Sequence, residues 1–142
     1  MPVRKAEANW NGSIMDGKGQ MRLGSGAFDG PFSFKSRMEE GTGTNPEELI
    51  GAAHAGCFSM AFSATLGSQG FEPKSIHTDA NVKFDKVGDS FAITRIDLNT
   101  TAEISNIDET KFQELAKAAK ENCPVSKALA GTEINLNAVL KQ

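Results

Sequence analysis

Cys57 and Cys123 are the residues of this 142-residue chain best suited to chemistry. A thiolate is a nucleophile, and an oxidised thiol can be captured by a second thiol as a disulfide. Cys57 lies within Asn45-Pro46-Glu47-Glu48-Leu49-Ile50-Gly51-Ala52-Ala53-His54-Ala55-Gly56-Cys57-Phe58-Ser59-Met60, and no Lys, Arg, Asp or Glu occurs from Leu49 to Phe71. A thiol in such surroundings is either an inert core side chain or a shielded nucleophile. The second role needs a cation nearby. The helix dipole cannot serve, because Cys57 is twelve residues past Asn45, roughly 18 Å along a helix axis, and dipole effects fade within the first turn. An Arg or Lys must come from elsewhere.

Cys123 precedes Pro124. It reads as the N-cap of a short helix whose amide groups would favour its thiolate, or simply as a loop residue. Arg37 and Glu47 are the charged residues of interest. The first ends a polar face, and the second sits in the first turn of the helix that carries Cys57. Each could equally be a solvated surface charge. His54, three residues before Cys57, raises a Cys–His hydrolase or acyl-transfer alternative. No third member of a triad is evident, and a hydrogen-bonded histidine is the plainer reading. His77 shows no partner. The chain has no CxxC pair and too few Cys and His for a zinc site, so no metal or cofactor enters the reading.

The elements that must position these residues follow from pattern. Arg4 to Trp10 and Gly17 to Leu23 read as strands joined through Asn11-Gly12 and Asp16-Gly17. Phe32 to Met38 alternates and reads as a strand whose polar face carries Arg37. Gly41-Thr42-Gly43-Thr44 breaks the chain before a long helix. Asn45 is its N-cap, Pro46 its first residue, and Glu48 occupies the capping-box position. Gly67 or Gly70 ends it. Ser75 to Lys86 and Phe91 to Ile104 are strands around Gly88-Asp89. The second changes hydrophobic parity between Ile93 and Ile96, as a bulge or burial on both faces would produce. Asp108 caps a further helix with Ile107 and Phe112 as its hydrophobic staple. Val125 to Ala130 is a short helix, and Glu133 to Leu140 alternates as a closing strand. Strands and helices in this order give an α+β class with mostly antiparallel sheets.

Length predicts one domain over residues 1–142. The 15 Lys and Arg are scattered against 18 Asp and Glu, for a net charge of −3, which argues against nucleic acid as a partner. The segment from Met1 to Trp10 lacks the apolar region of a secretory signal. The uncharged stretch from Leu49 to Phe71 holds too many polar residues and glycines to read as a membrane span, and a buried central helix is expected instead. A cytoplasmic, reducing compartment is the expectation. There, a cysteine pair is more often redox-active than structural.

The segment from Gly43 to Met60 closely resembles the osmotically inducible protein C (OsmC) family, which is related to the organic hydroperoxide resistance proteins. Asn122-Cys123-Pro124-Val125-Ser126 resembles that family's second cysteine motif, and Lys86-Val87 and Phe91-Ala92-Ile93-Thr94 are also similar to it. Gly56 departs from the family's alanine. The resemblance covers essentially the whole chain. It implies an intertwined homodimer, with long central helices wrapped by sheets. It also implies a thiol peroxidase that reduces organic hydroperoxides and protects against oxidative and osmotic stress. Cys57 would be the peroxidatic cysteine and Cys123 the resolving one. Arg37 would lower the thiolate pKa, and Glu47 would position the arginine. The reductant would be a dithiol, with lipoyl groups favoured. An apolar surround from Phe58, Met60 and Phe62 is expected to favour alkyl peroxides. Glu47 and Cys57 are ten residues apart on one helix, roughly 15 Å, so Glu47 should serve the thiol of a partner subunit. The alternative from another class is a non-enzymatic dimeric stress protein holding a small apolar ligand in its helix cleft.

Overall fold

The computed structural model describes residues 1–142 and divides into two compact units, Met1–Leu49 and Ile50–Gln142. In the first unit, β1 (Ala6–Asn11), β2 (Lys18–Leu23) and β3 (Asp29–Phe32) form an antiparallel sheet in sequential order. The strand expected over Phe32 to Met38 is not there beyond Phe32. Phe34–Met38 is a short helix, α1. Ser33 and Ser36 decide this. The Ser36 amide donates to Ser33 Oγ at 3.1 Å, and the Ser33 amide donates to Ser36 Oγ at 2.8 Å, a reciprocal capping box. Seven residues of alternating polarity do not by themselves separate a strand from a single capped helical turn.

The chain returns to β3 through a bridge between Phe32 and Thr44. Gly43 makes this possible: its φ is 117°, and a Cβ there would lie 2.7 Å from the Pro31 carbonyl oxygen. The long helix α2 (Pro46–Ser68) begins at the end of this unit and continues into the second. Asn45 caps it as expected, its Oδ1 accepting from the Glu48 amide at 2.8 Å. The Glu48 carboxylate does not complete a capping box. It accepts instead from Thr44 Oγ1 at 3.0 Å.

In the second unit, β4 (Ser75–Val87) and β5 (Ser90–Glu103) form an antiparallel hairpin, and β6 (Glu133–Lys141) pairs with β5 in parallel. A register shift between Lys83 and Phe84 leaves Thr94 as the extra residue of β5, which accounts for the change of parity read from the sequence. A parallel neighbour requires a crossover. Here it carries α3 (Glu109–Asn122) and α4 (Pro124–Ala128). Asp108 caps α3 by accepting from the Lys111 amide at 2.7 Å, and Ile107 and Phe112 are both buried as a staple.

The core of this unit joins Phe58, Phe62 and Leu66 of α2 to Ile96 and Leu98 of β5 and to Phe112, Leu115, Ala116 and Ala119 of α3. Each large side chain contributes about 1.5–3 kcal/mol by burial. Phe62 stacks at a tilt on both Phe58 and Phe112, with ring centroids 5.6 Å apart in each case. At Gly51, where α2 crosses β4, a Cβ would sit 3.3 Å from Val82 Cγ2 and 3.5 Å from the Ala80 carbonyl oxygen. A Cβ there would press on Val82 by a few tenths of an ångström, so glycine eases the close packing of helix on strand.

By length and composition α2 could cross a membrane. In the chain it is buried along one stripe, His54, Phe58, Phe62 and Leu66, spaced four residues apart. That stripe anchors the helix in the core, as the central helix read from the sequence requires. Ala52, Ala53, Gly56, Ser63, Ala64 and Gly67 are exposed, and so is Met60. Apart from Met60 these are small residues, so the open face lacks charge and carries little bulk.

Candidate active site

Cys57 and Cys123 come together. Their sulfurs are 3.2 Å apart, close enough for one thiol to donate a hydrogen bond to the other. Both cysteines are free. Cys123 is completely buried and Cys57 is half-buried.

Cys123 is held by the backbone on both sides. It is the last cap of α3 and the first of α4. Its N–H donates to the Ala119 carbonyl at 2.9 Å, and its own carbonyl accepts from the Lys127 amide at 3.0 Å. Pro124 then opens α4 as the sequence predicts. The Cys123 sulfur makes no capping hydrogen bond. Burial opposes its ionisation. The Ser126 amide, the Cys57 thiol, the Ser126 hydroxyl and the Val125 amide more than offset that, so its pKa is lowered.

Cys57 behaves oppositely. Burial raises its pKa above all else. The Val125 amide favours the thiolate, but the neighbouring Cys123 works against a second negative charge. None of these influences is a cation.

In the first unit, Arg37 and Glu47 form a bidentate ion pair. Arg37 Nε donates to Glu47 Oε1 at 2.9 Å and its NH2 group donates to the same oxygen at 2.7 Å. The Glu47 side chain is only 8% exposed, against 40% for Arg37. The capped turn of α1 sets the arginine. The Ser36 hydroxyl donates to the Thr44 carbonyl at 2.7 Å, and Asn45 Nδ2 donates to the Ser36 carbonyl at 3.1 Å. These bonds tie α1 to the first turn of α2, which carries Glu47. A fork-on-carboxylate geometry fixes the plane of the guanidinium and leaves its remaining donors pointing in a defined direction.

His54 is fully buried, and its Nε2 lies 2.7 Å from the Ser126 hydroxyl oxygen. Its partner is thus a serine on α4 and not Cys57, which removes the geometric basis of the Cys–His hydrolase alternative. Burial lowers its pKa. Sequence reasoning took Ser126 only as part of a motif. The signal available was its position one helical turn beyond Cys123. Phe58 and Phe62, expected to surround a substrate, are instead fully buried core residues. Their four-residue spacing with Leu66 places them on the inward stripe. Of the three apolar candidates only Met60, 77% exposed, faces outward.

The sequence pattern of the family described as OsmC-like protein matches residues 39–138. The chain is 48% identical over 139 residues to the peroxiredoxin OsmC of Escherichia coli K12, covering 97% of this chain and 96% of that protein. It is 33% identical over 115 residues to the organic hydroperoxide resistance protein OhrB of Bacillus subtilis, covering 80% and 82% of the two chains. The crystal structure of that protein superposes with a TM-score of 0.70 at 28% identity, over 96% of this chain and 98% of the other. An OsmC-like protein from Mycoplasma pneumoniae shares the fold at a TM-score of 0.77 and 16% identity, over 99% of each chain. Sequence and fold together place this chain in the OsmC-like protein family.

Proposed function

We propose that this protein is a thiol peroxidase that reduces organic hydroperoxides to alcohols, protecting against oxidative and osmotic stress. Cys57 acts as the peroxidatic cysteine and Cys123 as the resolving one. The observation that carries this reading is the 3.2 Å separation of the two sulfurs. The membership just described supports it, since the relatives named above are a peroxiredoxin and an organic hydroperoxide resistance protein. In the first step the Cys57 thiolate attacks the outer peroxide oxygen. The O–O bond breaks, the alkoxide takes a proton and leaves as alcohol, and Cys57 becomes a sulfenic acid. Cys123 then attacks that sulfur and water departs, leaving a disulfide. A dithiol, lipoyl groups included, restores both thiols by exchange.

Burial raises the pKa of Cys57, so forming its thiolate calls for a cation beside it. Arg37 is the candidate, and its bond to Glu47 means that the two act as one unit. Glu47 and Cys57 are ten residues apart in α2, roughly 15 Å. The pair therefore serves the Cys57 of a second copy. The protein works as an intertwined homodimer with two composite sites, residues 1–142 of each chain acting as one domain. The exposed, uncharged face of α2 suits such packing. Nothing lies within 4 Å of where a Gly56 Cβ would be, so another backbone can approach there.

Reduced protein treated with one equivalent of tert-butyl hydroperoxide should lose both thiols and two hydrogens of mass. Cys57→Ser should abolish the reaction, and Cys123→Ser should halt it at the sulfenic acid. If the thiols react no faster than a free model thiol, the peroxidase reading fails.

A further inference from the structure

Beside the pair of sulfurs, a second contact spans α2 and α4. His54 stands three residues before Cys57, and Ser126 stands three residues after Cys123. The contacts 57–123 and 54–126 are therefore consecutive rungs, one helical turn apart, between two helices of opposite sense. The sulfur rung measures 3.2 Å and the polar rung 2.7 Å. His54 and Cys123 are wholly buried and Ser126 is 7% exposed. We infer that His54 and Ser126 are positioning residues for disulfide formation, holding α4 so that Cys123 meets the oxidised Cys57 and directing a hydroxyl proton at the Cys123 sulfur. This rests on the peroxidase reading above.

Two further observations support it. The Nδ1 of His54 is buried with no hydrogen-bond partner. A bare ring nitrogen is less costly there than an orphaned N–H, since unpaired buried donors are rarer than under-satisfied acceptors. The proton accordingly sits on Nε2, which donates to Ser126 Oγ. With its oxygen occupied as an acceptor, the Ser126 hydroxyl is free to donate onward. Cys123, at the N-cap, lies one turn before Ser126 at the third helical position, the offset at which capping-box side chains meet. The Ser126 hydroxyl is among the groups that lower the pKa of Cys123. Burial lowers the His54 pKa, which favours the neutral ring. The bond between His54 Nε2 and Ser126 Oγ is in place, and the proposed step adds donation from the Ser126 hydroxyl to Cys123 Sγ.

Sequence makes α4 dependent on this bond. It is five residues long and lacks a full side-chain cap. Val125 and Leu129 pack partly on the core, but they fix only one side of so short an element. The step served is balanced as follows. The Cys123 sulfur attacks the sulfur of the Cys57 sulfenic acid, an S–S bond forms and the S–O bond breaks. The departing hydroxide takes up the proton that Cys123 released and leaves as water. The only oxidant is the hydroperoxide already consumed.

The test separates the two chemical steps in the full chain. After one equivalent of tert-butyl hydroperoxide, stopped-flow follows loss of the Cys57 thiol. Quenching with dimedone then measures how much sulfenic acid persists before the disulfide forms. Ser126→Ala and His54→Leu should leave the first phase within about twofold and slow disulfide formation about tenfold, the rate equivalent of one hydrogen bond. His54→Gln, which keeps a donor nitrogen at similar reach, should recover most of that loss. In Ser126→Ala the pH profile of disulfide formation should also move to higher pH. Should His54→Leu not fold, Ser126→Ala, which loses a single hydroxyl, decides the matter. Unchanged disulfide formation in folded Ser126→Ala overturns the inference, as does an equal slowing of both phases. Failure of wild-type Cys57 to react at all is visible in the first phase and counts against the peroxidase reading instead.

Discussion

A subunit-mixing experiment tests where the imported cation comes from. Glu47 and Cys57 lie ten residues apart in one continuous helix, roughly 15 Å along its axis. The carboxylate of Glu47 is already committed to Arg37 in the same chain, at 2.7 Å. A chain with Cys57→Ser keeps the ion pair and lacks the nucleophile. A chain with Glu47→Ala keeps the nucleophile and leaves Arg37 without its anchor. Each variant alone should retain about 1% of wild-type peroxidase activity or less, the usual consequence of losing a nucleophile or a charge-stabilising group. Unfolding and refolding an equal mixture gives heterodimers as about half of all dimers in a two-fold assembly. Each heterodimer has one complete site, made from the Cys57 of one chain and the Arg37–Glu47 pair of the other. One of its two sites works, so the mixture should recover about a quarter of wild-type activity per chain. The assay is initial-rate consumption of tert-butyl hydroperoxide with dithiothreitol as reductant, with heterodimer content measured by native mass spectrometry. If heterodimers form and activity stays at the mean of the two parents, the composite site is wrong.

Phe62→Ala removes the ring that joins Phe58 to Phe112 in the core. It should cost about 4 kcal/mol and lower Tm by roughly 10–15 °C in calorimetry. Ser33→Ala breaks the capping box of α1. It should destabilise that turn by about 1 kcal/mol, seen as faster amide exchange at Arg37 and Met38 with little change elsewhere. The folded-state pKa of His54 lies below its ordinary 6.5 because of burial. The unfolded chain therefore binds the proton first as pH falls, so stability is full above the unfolded value of 6.5 and declines as pH falls from there toward the folded-state pKa. Urea unfolding at pH 5.5 and 7.5 should show this slope in wild type and a flatter one in His54→Gln.

Local signals placed most of the elements. Asn45 and Pro46 marked the start of α2, Asp108 the start of α3, and the parity change between Ile93 and Ile96 marked the bulge. The turn that carries Arg37 was misread because Ser33 and Ser36 act through a reciprocal pair of hydrogen bonds that alternation cannot express. The pairing of β6 with β5 was also hidden. Alternation in Glu133 to Leu140 identifies a strand, but not its neighbour or its direction. Among the site residues, each type was legible from local sequence, while the contacts were not. His54 and Ser126 are separated by 72 positions, and no period or cap links them. The lack of charge in α2 was an incomplete guide for a similar reason. It signals a central helix, yet apart from Met60 most outward positions are small residues or serines that leave one face of the helix open within the chain.

The two sulfurs meet across 66 positions of sequence, a span that includes β4, β5 and α3. In an unfolded chain, closing a loop of that length costs about 4 kcal/mol of configurational entropy. The folded chain has already brought the ends together. The native state therefore acts as an effective-concentration device for its own oxidation. By thermodynamic linkage, a disulfide formed there makes the chain harder to unfold, and the fold makes that disulfide harder to reduce. A donor with one thiol must overcome this ring closure through two separate encounters. A donor with two thiols closes a ring of its own in the second step, and so meets the fold with the same intramolecular advantage.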